Sequence, residues 1–255
     1  MNILITGTNS GIGHALTLEH LEHGATVYGI SRNFNEKLQN YDEYHHLSHD
    51  LLELDELPDK LNRFVEGVKT LDLVILNAGI LLNINDIKRT PVDEITTMMK
   101  VNVWANKVII DTLLEQVPSI YQVVAISCGA DISNARGFNA YSLSKIALNQ
   151  MIKLYSREVP DTHFSALAPG LVDSRLQEHI SRIPDDNNNY EIVKRLRMMR
   201  KKGQLTNPYY AANCLIEAMG TVLQEESGGY RDVKEILSME SDIYPGSYNT
   251  TTPSA

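Results

Sequence analysis

The sequence predicts a doubly wound α/β fold, a single parallel sheet covered by helices on both faces. Three observations predict it. Short, almost wholly apolar runs of strand length alternate with stretches of helical periodicity. Strands buried on both faces carry such runs, and parallel neighbours need a crossover between them. A glycine-rich turn, Thr6-Gly7-Thr8-Asn9-Ser10-Gly11-Ile12-Gly13, joins the first run to the first helix. No internal repeat and no linker divides the chain, so one domain is expected over residues 1–246, with a loose Ser/Thr-rich tail at 247–255.

The elements follow in order. Residues 2–5 form the first strand. Helical periodicity occupies 13–23, and Gly24 stands where a helix C-terminal glycine belongs. A second strand covers 25–30, and a weaker third at 46–48 precedes Asp50. A helix is expected over 61–68 and a fourth strand over 71–76. The long helix 92–116 is opened by Thr90-Pro91, with proline near its start. A fifth strand over 121–127, a second long helix over 140–158 and a sixth strand over 163–168 complete the readable pattern. Pro169-Gly170 stops the last of these. Seven parallel strands are expected in all, the seventh without an assigned position. Residues 174–203 are polar and charged, and read as a substrate-loop insertion within the domain.

Bulk properties exclude some classes. A formal net charge of −9 lacks the basic footprint of a nucleic-acid binder. No apolar run approaches the ~20 residues of a membrane helix. The N-terminus shows neither the basic region nor the apolar core of a leader. Cys128 and Cys214, the only cysteines, suggest free thiols in a reducing compartment. A cytoplasmic protein is expected. His45, His46 and His49 lie close together, but no further ligand pattern completes a site, and no metal is expected.

Two motifs carry chemistry. In the glycine turn, backbone can approach a ligand closely, and the helix N-terminus behind it offers free N–H groups to a pyrophosphate. Tyr141-Ser142-Leu143-Ser144-Lys145 places a tyrosine and a lysine one helical turn apart on one face. An ammonium there is expected to lower the tyrosine pKa from ~10 toward neutrality, making Tyr141 a usable acid/base for a carbonyl oxygen. Each motif alone is common: a tight strand-to-helix turn and an exposed Tyr/Lys pair account for either.

Together the glycine pattern, Asn77-Ala78-Gly79, Asn102, Tyr141-x-x-x-Lys145 and Pro169-Gly170 stand in the order found in compact short-chain dehydrogenase/reductases. Over residues 2–175 the chain resembles that family, and locally the small carbonyl reductases of the sepiapterin- and benzil-reductase-like kind. The resemblance implies a Rossmann-type sheet and hydride transfer between a nicotinamide dinucleotide and a small carbonyl or alcohol. It implies a proton donor in Tyr141, a ribose-holding and tuning group in Lys145, and a water anchor of a proton relay in Asn102. Gly7, Asn9, Ser10, Gly11, Ile12 and Gly13 would cradle phosphates. Asn77, Ala78 and Gly79 would pass the adenosine ribose, and Asp50 with Leu51 the adenine. Pro169, Gly170, Val172 and Ser174 would meet the nicotinamide amide.

Two positions set this chain apart. The second strand ends in Ile30-Ser31-Arg32-Asn33, with no carboxylate at its tip, and Arg32 can pair with a 2′-phosphate. NADP(H) is therefore favoured over NAD(H). Thirteen residues before Tyr141 the family places a serine that donates to the substrate oxygen, and here Cys128 stands there beside Ser127. A thiol is a weak donor, which keeps open a weakly active dinucleotide-binding regulator. A nucleotide-sugar epimerase or dehydratase of the extended fold ranks last, for want of the usual glycine spacing. The basic run 194–202 reads as a solvated helix face. The two long helices suggest a homodimer or homotetramer.

Overall fold

The computed structural model describes residues 1–129, 134–183 and 190–237. The expected tail at 247–255, the domain end at 246, residues 184–189 of the insertion and residues 130–133 lie outside them. Seven strands build the sheet: β1 (Asn2–Thr6), β2 (Thr26–Ser31), β3 (Tyr44–Ser48), β4 (Thr70–Leu76), β5 (Ser119–Ile126), β6 (His163–Ala168) and β7 (Gly229–Asp232). Their order is β3-β2-β1-β4-β5-β6-β7, and every neighbouring pair is parallel. β1 sits between β2 and β4, with Ile5 opposite Gly29 on one side and Ile75 on the other. The direction of winding reverses there, and a crevice opens at the carboxyl ends of such strands.

The helices are α1 (Gly11–Glu22), α2 (Leu57–Phe64), α3 (Val92–Met99), α4 (Ala105–Gln116), α5 (Asn139–Glu158), α6 (Arg175–Arg182), α7 (Glu191–Lys201), α8 (Pro208–Val222) and the short α9 (Val233–Ile236). Strand alternation explains the two layers of core. Ile3, Ile5 and Ile75 pack with Leu16 of α1 and with Leu215 and Met219 of α8. Leu4, Val74 and Val123 face the other way, onto Leu61 of α2, Ile109 of α4 and Leu148 and Ile152 of α5. A third apolar cluster caps the carboxyl ends of the strands, joining Leu81, Met98, Cys128, Phe138 and Tyr141 to Ile180 of α6 and Leu196 of α7. Polar ties hold this cap. Arg136 donates to both oxygens of Asp86 at 2.6 and 2.8 Å and lies 5.6 Å from the centre of the Tyr190 ring. The His179 ring donates to the Leu82 carbonyl at 2.8 Å.

Several elements depart from expectation. The helix expected over 61–68 forms earlier, as α2, because Pro58 favours the first turn of a helix. It is over before Gly67, whose φ of +81° is left-handed. The single helix expected over 92–116 is interrupted by a π turn, Lys100–Trp104, between α3 and α4. The polar insertion carries two helices, α6 burying Gln177 and Ile180 and α7 burying Val193, Leu196 and Met199. No helix among the described residues is long and apolar enough to cross a membrane.

Candidate active site

A cleft of about 660 Å³ opens where the winding reverses, walled by the residues that leave β1, β2, β4, β5 and β6. Gly7, Asn9, Ser10, Gly11, Ile12, Arg32, Asp50, Leu51, Asn77, Ala78, Gly79, Cys128, Tyr141, Lys145, Pro169, Gly170, Val172 and Ser174 all line it. Of the residues expected at the site, Gly13 and Asn102 do not.

Gly13 acts from beneath. A Cβ there would lie 2.3 Å from the Gly7 carbonyl oxygen and 2.4 Å from Nδ2 of Asn77, so only glycine lets α1 approach the turn this closely. The turn is fastened to the exit of β4. Thr6 Oγ1 accepts from the backbone N–H groups of Asn77 and Ala78 at 3.0 and 2.9 Å, and Asn77 Nδ2 donates to the Thr6 carbonyl at 2.9 Å. Ser10, the N-cap of α1, makes no side-chain cap bond. The first N–H groups of α1 therefore receive no cap from it, and they sit at the positive end of the helix dipole. A cleft floored by glycines and backed by such a helix end fits a dinucleotide pyrophosphate.

At the far end of β2, Arg32 is mostly exposed, with Nη1 3.9 Å from Oδ2 of Asp50. The other Asp50 oxygen accepts from the Leu52 N–H at 3.1 Å. So long and exposed an ion pair is weak, and leaves the guanidinium available to a stronger anion. His45, His46 and His49 do not converge. His45 lies against Tyr28, His46 bonds Ser31 and His49 bonds the Glu53 carbonyl.

At the other end of the cleft, α5 carries Tyr141 and Lys145, both buried. The Lys145 ammonium donates to the Ile126 carbonyl at 2.7 Å and lies 5.7 Å from the centre of the Tyr141 ring. The expected lowering of the tyrosine pKa is not what this geometry produces. Burial pushes the Tyr141 hydroxyl above its ordinary value, and Cys128 adds to the push. Burial also pulls Lys145 down to about 8, and its proton is directed at a backbone oxygen. Tyr141 is thus held as a neutral donor. Cys128 shares the apolar cluster of Tyr141. Burial raises its thiol pKa against the pull of Lys145, so the thiol stays protonated. Ser127 also borders the cleft, its Oγ buried with no hydrogen-bond partner among the described residues.

Asn102 sits in the π turn, fully buried. Its Oδ1 accepts from the Ile80 N–H at 2.8 Å, and Nδ2 donates to the Ile80 carbonyl and to Ser144 Oγ, both at 2.9 Å. Ser144 donates in turn to the Tyr141 carbonyl at 2.7 Å. Both amide hydrogens are spent on joining the β4 exit to α5. The Asn102 carbonyl accepts from Asn106 at 2.9 Å.

Sequence reasoning missed part of the wall. Asp232 and Lys234, at the end of β7 and the start of α9, line the cleft, as do Leu82 and, from α6, Arg175, Leu176 and Gln177. Tyr230 of β7 donates its hydroxyl to the Cys128 carbonyl at 3.0 Å. The polar insertion signalled the α6 residues, whereas nothing local marked those around β7.

The family described as short chain dehydrogenase matches residues 1–184. The chain is a short-chain dehydrogenase. This short-chain dehydrogenase is 25% identical over 248 residues to the benzil reductase ((S)-benzoin forming) of Bacillus subtilis, covering 92% of this chain and 98% of the relative. The crystal structure of a short chain dehydrogenase/reductase from Saccharomyces cerevisiae superposes with a TM-score of 0.82 at 22% identity, over 96% of this chain and 99% of that one. A structure of ElxO with NADP bound superposes with a TM-score of 0.73 at 22% identity, over 93% and 99%. The short-chain dehydrogenase is an oxidoreductase with a seven-stranded Rossmann-like sheet.

Proposed function

We propose that this short-chain dehydrogenase transfers hydride between NADP(H) and a small, largely apolar carbonyl or alcohol. One observation carries the proposal: a single cleft holds Tyr141, Lys145 and Cys128 at one end and Arg32, without a carboxylate at the strand tip, at the other. The bound dinucleotide supplies the hydride. The chain supplies the rest. Tyr141, neutral and buried, gives its hydroxyl proton to the carbonyl oxygen. Lys145, with a pKa of about 8, is largely an ammonium at neutral pH and stabilises the tyrosinate left behind. Cys128 lies on the same wall, and Asn102 acts as a positioning residue through Ile80 and Ser144. Ile80, Leu82, Leu171 and Leu176 give the substrate end an apolar lining that limits water.

The test is turnover of a carbonyl panel, benzil included, with NADPH and with NADH. Tyr141→Phe is expected to abolish turnover while leaving dinucleotide titration nearly unchanged; a variant that keeps most of the wild-type rate sinks the mechanism. Arg32→Ala is expected to weaken NADPH about tenfold or more and NADH little, since charged hydrogen bonds contribute about 1.5–3 kcal/mol. Equal losses count against phosphate recognition. The weak thiol donor at Cys128 favours one second reading, a dinucleotide-binding regulator. Binding of NADPH with no turnover across the panel would select it. For partners, the proposal is a second copy of this chain. Leu143, Ile146 and Leu154 form an exposed apolar stripe on α5, and Trp104 is exposed on the π turn. Such a stripe suits a two-fold, self-complementary contact.

A further inference from the structure

Behind the Arg32 end of the cleft lies a buried polar chain that meets the cleft wall only at Ser31 and Asn33. It begins on the edge strand β3. Tyr44 packs against Gly29 of β2, where any Cβ would lie 2.4 Å from the Tyr44 hydroxyl. With glycine there the hydroxyl reaches Thr8, 2.7 Å away, inside the glycine turn. Thr8 Oγ1 is 3.2 Å from Ser31 Oγ at the tip of β2. Ser31 Oγ donates to the Asn33 carbonyl at 2.9 Å and lies 2.9 Å from Nε2 of His46.

Each hydroxyl has one hydrogen. The Ser31 hydrogen is spent on a carbonyl, so Ser31 accepts from Thr8 and from the His46 N–H. Thr8 has then spent its own, so it accepts from Tyr44. Burial pushes the Tyr44 pKa up to about 12, which keeps it a donor throughout the neutral range. The bonds all run one way, from Tyr44 and His46 to the Asn33 carbonyl. Thr8 is fully buried and Tyr44 and Ser31 nearly so, where a lost partner is costly and bonded groups reinforce one another.

The chain joins two pieces of the cleft wall. Thr8 lies between Gly7 and Asn9, which line the phosphate end, and Ser31 and Asn33 flank Arg32. Thr8, Tyr44 and His46 do not line the cleft. We propose that Tyr44, Thr8 and His46 are positioning residues that fix the distance between the glycine turn and the Arg32 turn, and so set the preference for a 2′-phosphorylated dinucleotide. NADH lacks the 2′-phosphate that Arg32 would hold. NADPH would engage both turns through charged groups, so its affinity would depend more steeply on their separation. The inference rests on the dinucleotide reading given above.

Titration of the full chain with NADPH and with NADH tests it. Tyr44→Phe keeps the ring and removes the hydroxyl. It should raise the NADPH Kd about two- to tenfold, the worth of one ordinary hydrogen bond, and the NADH Kd less than about twofold. His46→Leu, at an edge-strand position, should shift the same ratio, and His46→Gln, whose amide can donate to Ser31, should restore it. This covers the case in which Tyr44→Phe fails to fold. A general structural role would weaken both cofactors equally. If wild type binds NADPH and the variants leave the NADPH-to-NADH ratio unchanged, the clamp is overturned and the dinucleotide reading stands. If wild type binds neither dinucleotide, both fall.

Discussion

In the proposed mechanism, Cys128 would put sulfur where a better donor would aim at the oxygen that gains charge during reduction. Preorganised donors at that point lower the barrier, and a protonated thiol donates weakly. Cys128→Ser is expected to raise kcat about tenfold, with dinucleotide affinity unchanged; steady-state kinetics with unchanged or lower kcat would remove Cys128 from the reaction. Ser127→Ala should alter neither rate nor stability much, because the hydroxyl it deletes is buried and unpartnered among the described residues. Lys145 supplies a pH prediction. Its pKa is lowered to about 8, so its charge is present below that pH and lost above it. The kcat/KM for reduction should be level below pH 8 and fall beyond it, and Lys145→Arg should remove the break. A profile that rises through this range contradicts the assignment. Tyr141 and Lys145 were legible in the sequence because their i, i+4 spacing fixes their common face. The direction of the tyrosine shift was not, because the burial that raises it comes from Leu81, Met98, Ile180 and Leu196, which reach Tyr141 only through tertiary packing.

At the scale of elements, α1 buries a histidine that has no use for a charge. His20 is 8% exposed, and Nε2 finds no partner among the described residues. Burial, and then His23, lower its pKa from 6.5 to about 4. The folded chain holds His20 neutral while the unfolded chain protonates it near 6.5. The resulting contribution is complete above pH 6.5 and is lost as pH falls toward 4, about 3 kcal/mol on a linkage estimate. Urea denaturation at pH 7 and pH 4.5 should therefore show a smaller loss for His20→Gln than for wild type; equal losses would contradict it. The elements differ in how well the sequence marks them. β1, β4 and β6 are apolar runs that no other burial explains. The π turn is invisible in the pattern, since Val92 to Gln116 keeps helical spacing on either side of it. No expectation covered α8, although the Asn207 side chain caps it, accepting from the Tyr209 N–H at 2.8 Å. The four residues of β7 offer no apolar run, because an edge strand is only half covered.

The whole molecule was the most legible scale. Once six parallel strands are placed, handed crossovers leave few topologies, and the cleft follows from the reversal beside β1. The substrate end was the least legible, because α6, α7 and β7 meet there only through tertiary packing. Quaternary structure is tested at this scale. Ile146→Glu, placing a charge in the middle of the exposed α5 stripe, should convert a dimer into a monomer in light scattering at micromolar concentration. A wild-type protein that is already monomeric removes the proposal.

The late position of β7 also affects the order in which a growing chain becomes competent. All the motif residues, from Gly7 to Ser174, are synthesised before the first residue of α8. A chain stopped at Asn207 would own the whole signature and still leave Ile3, Ile5 and Leu16 without their α8 cover. It would also lack the Tyr230 hydroxyl that holds the Cys128 carbonyl. On the proposed function, competence would thus wait for α8 and an edge strand that the motifs do not mention. Nascent chains arrested before residue 208 should be open to protease and unable to hold dinucleotide, while chains arrested with residues 208–237 clear of the exit tunnel should resist digestion.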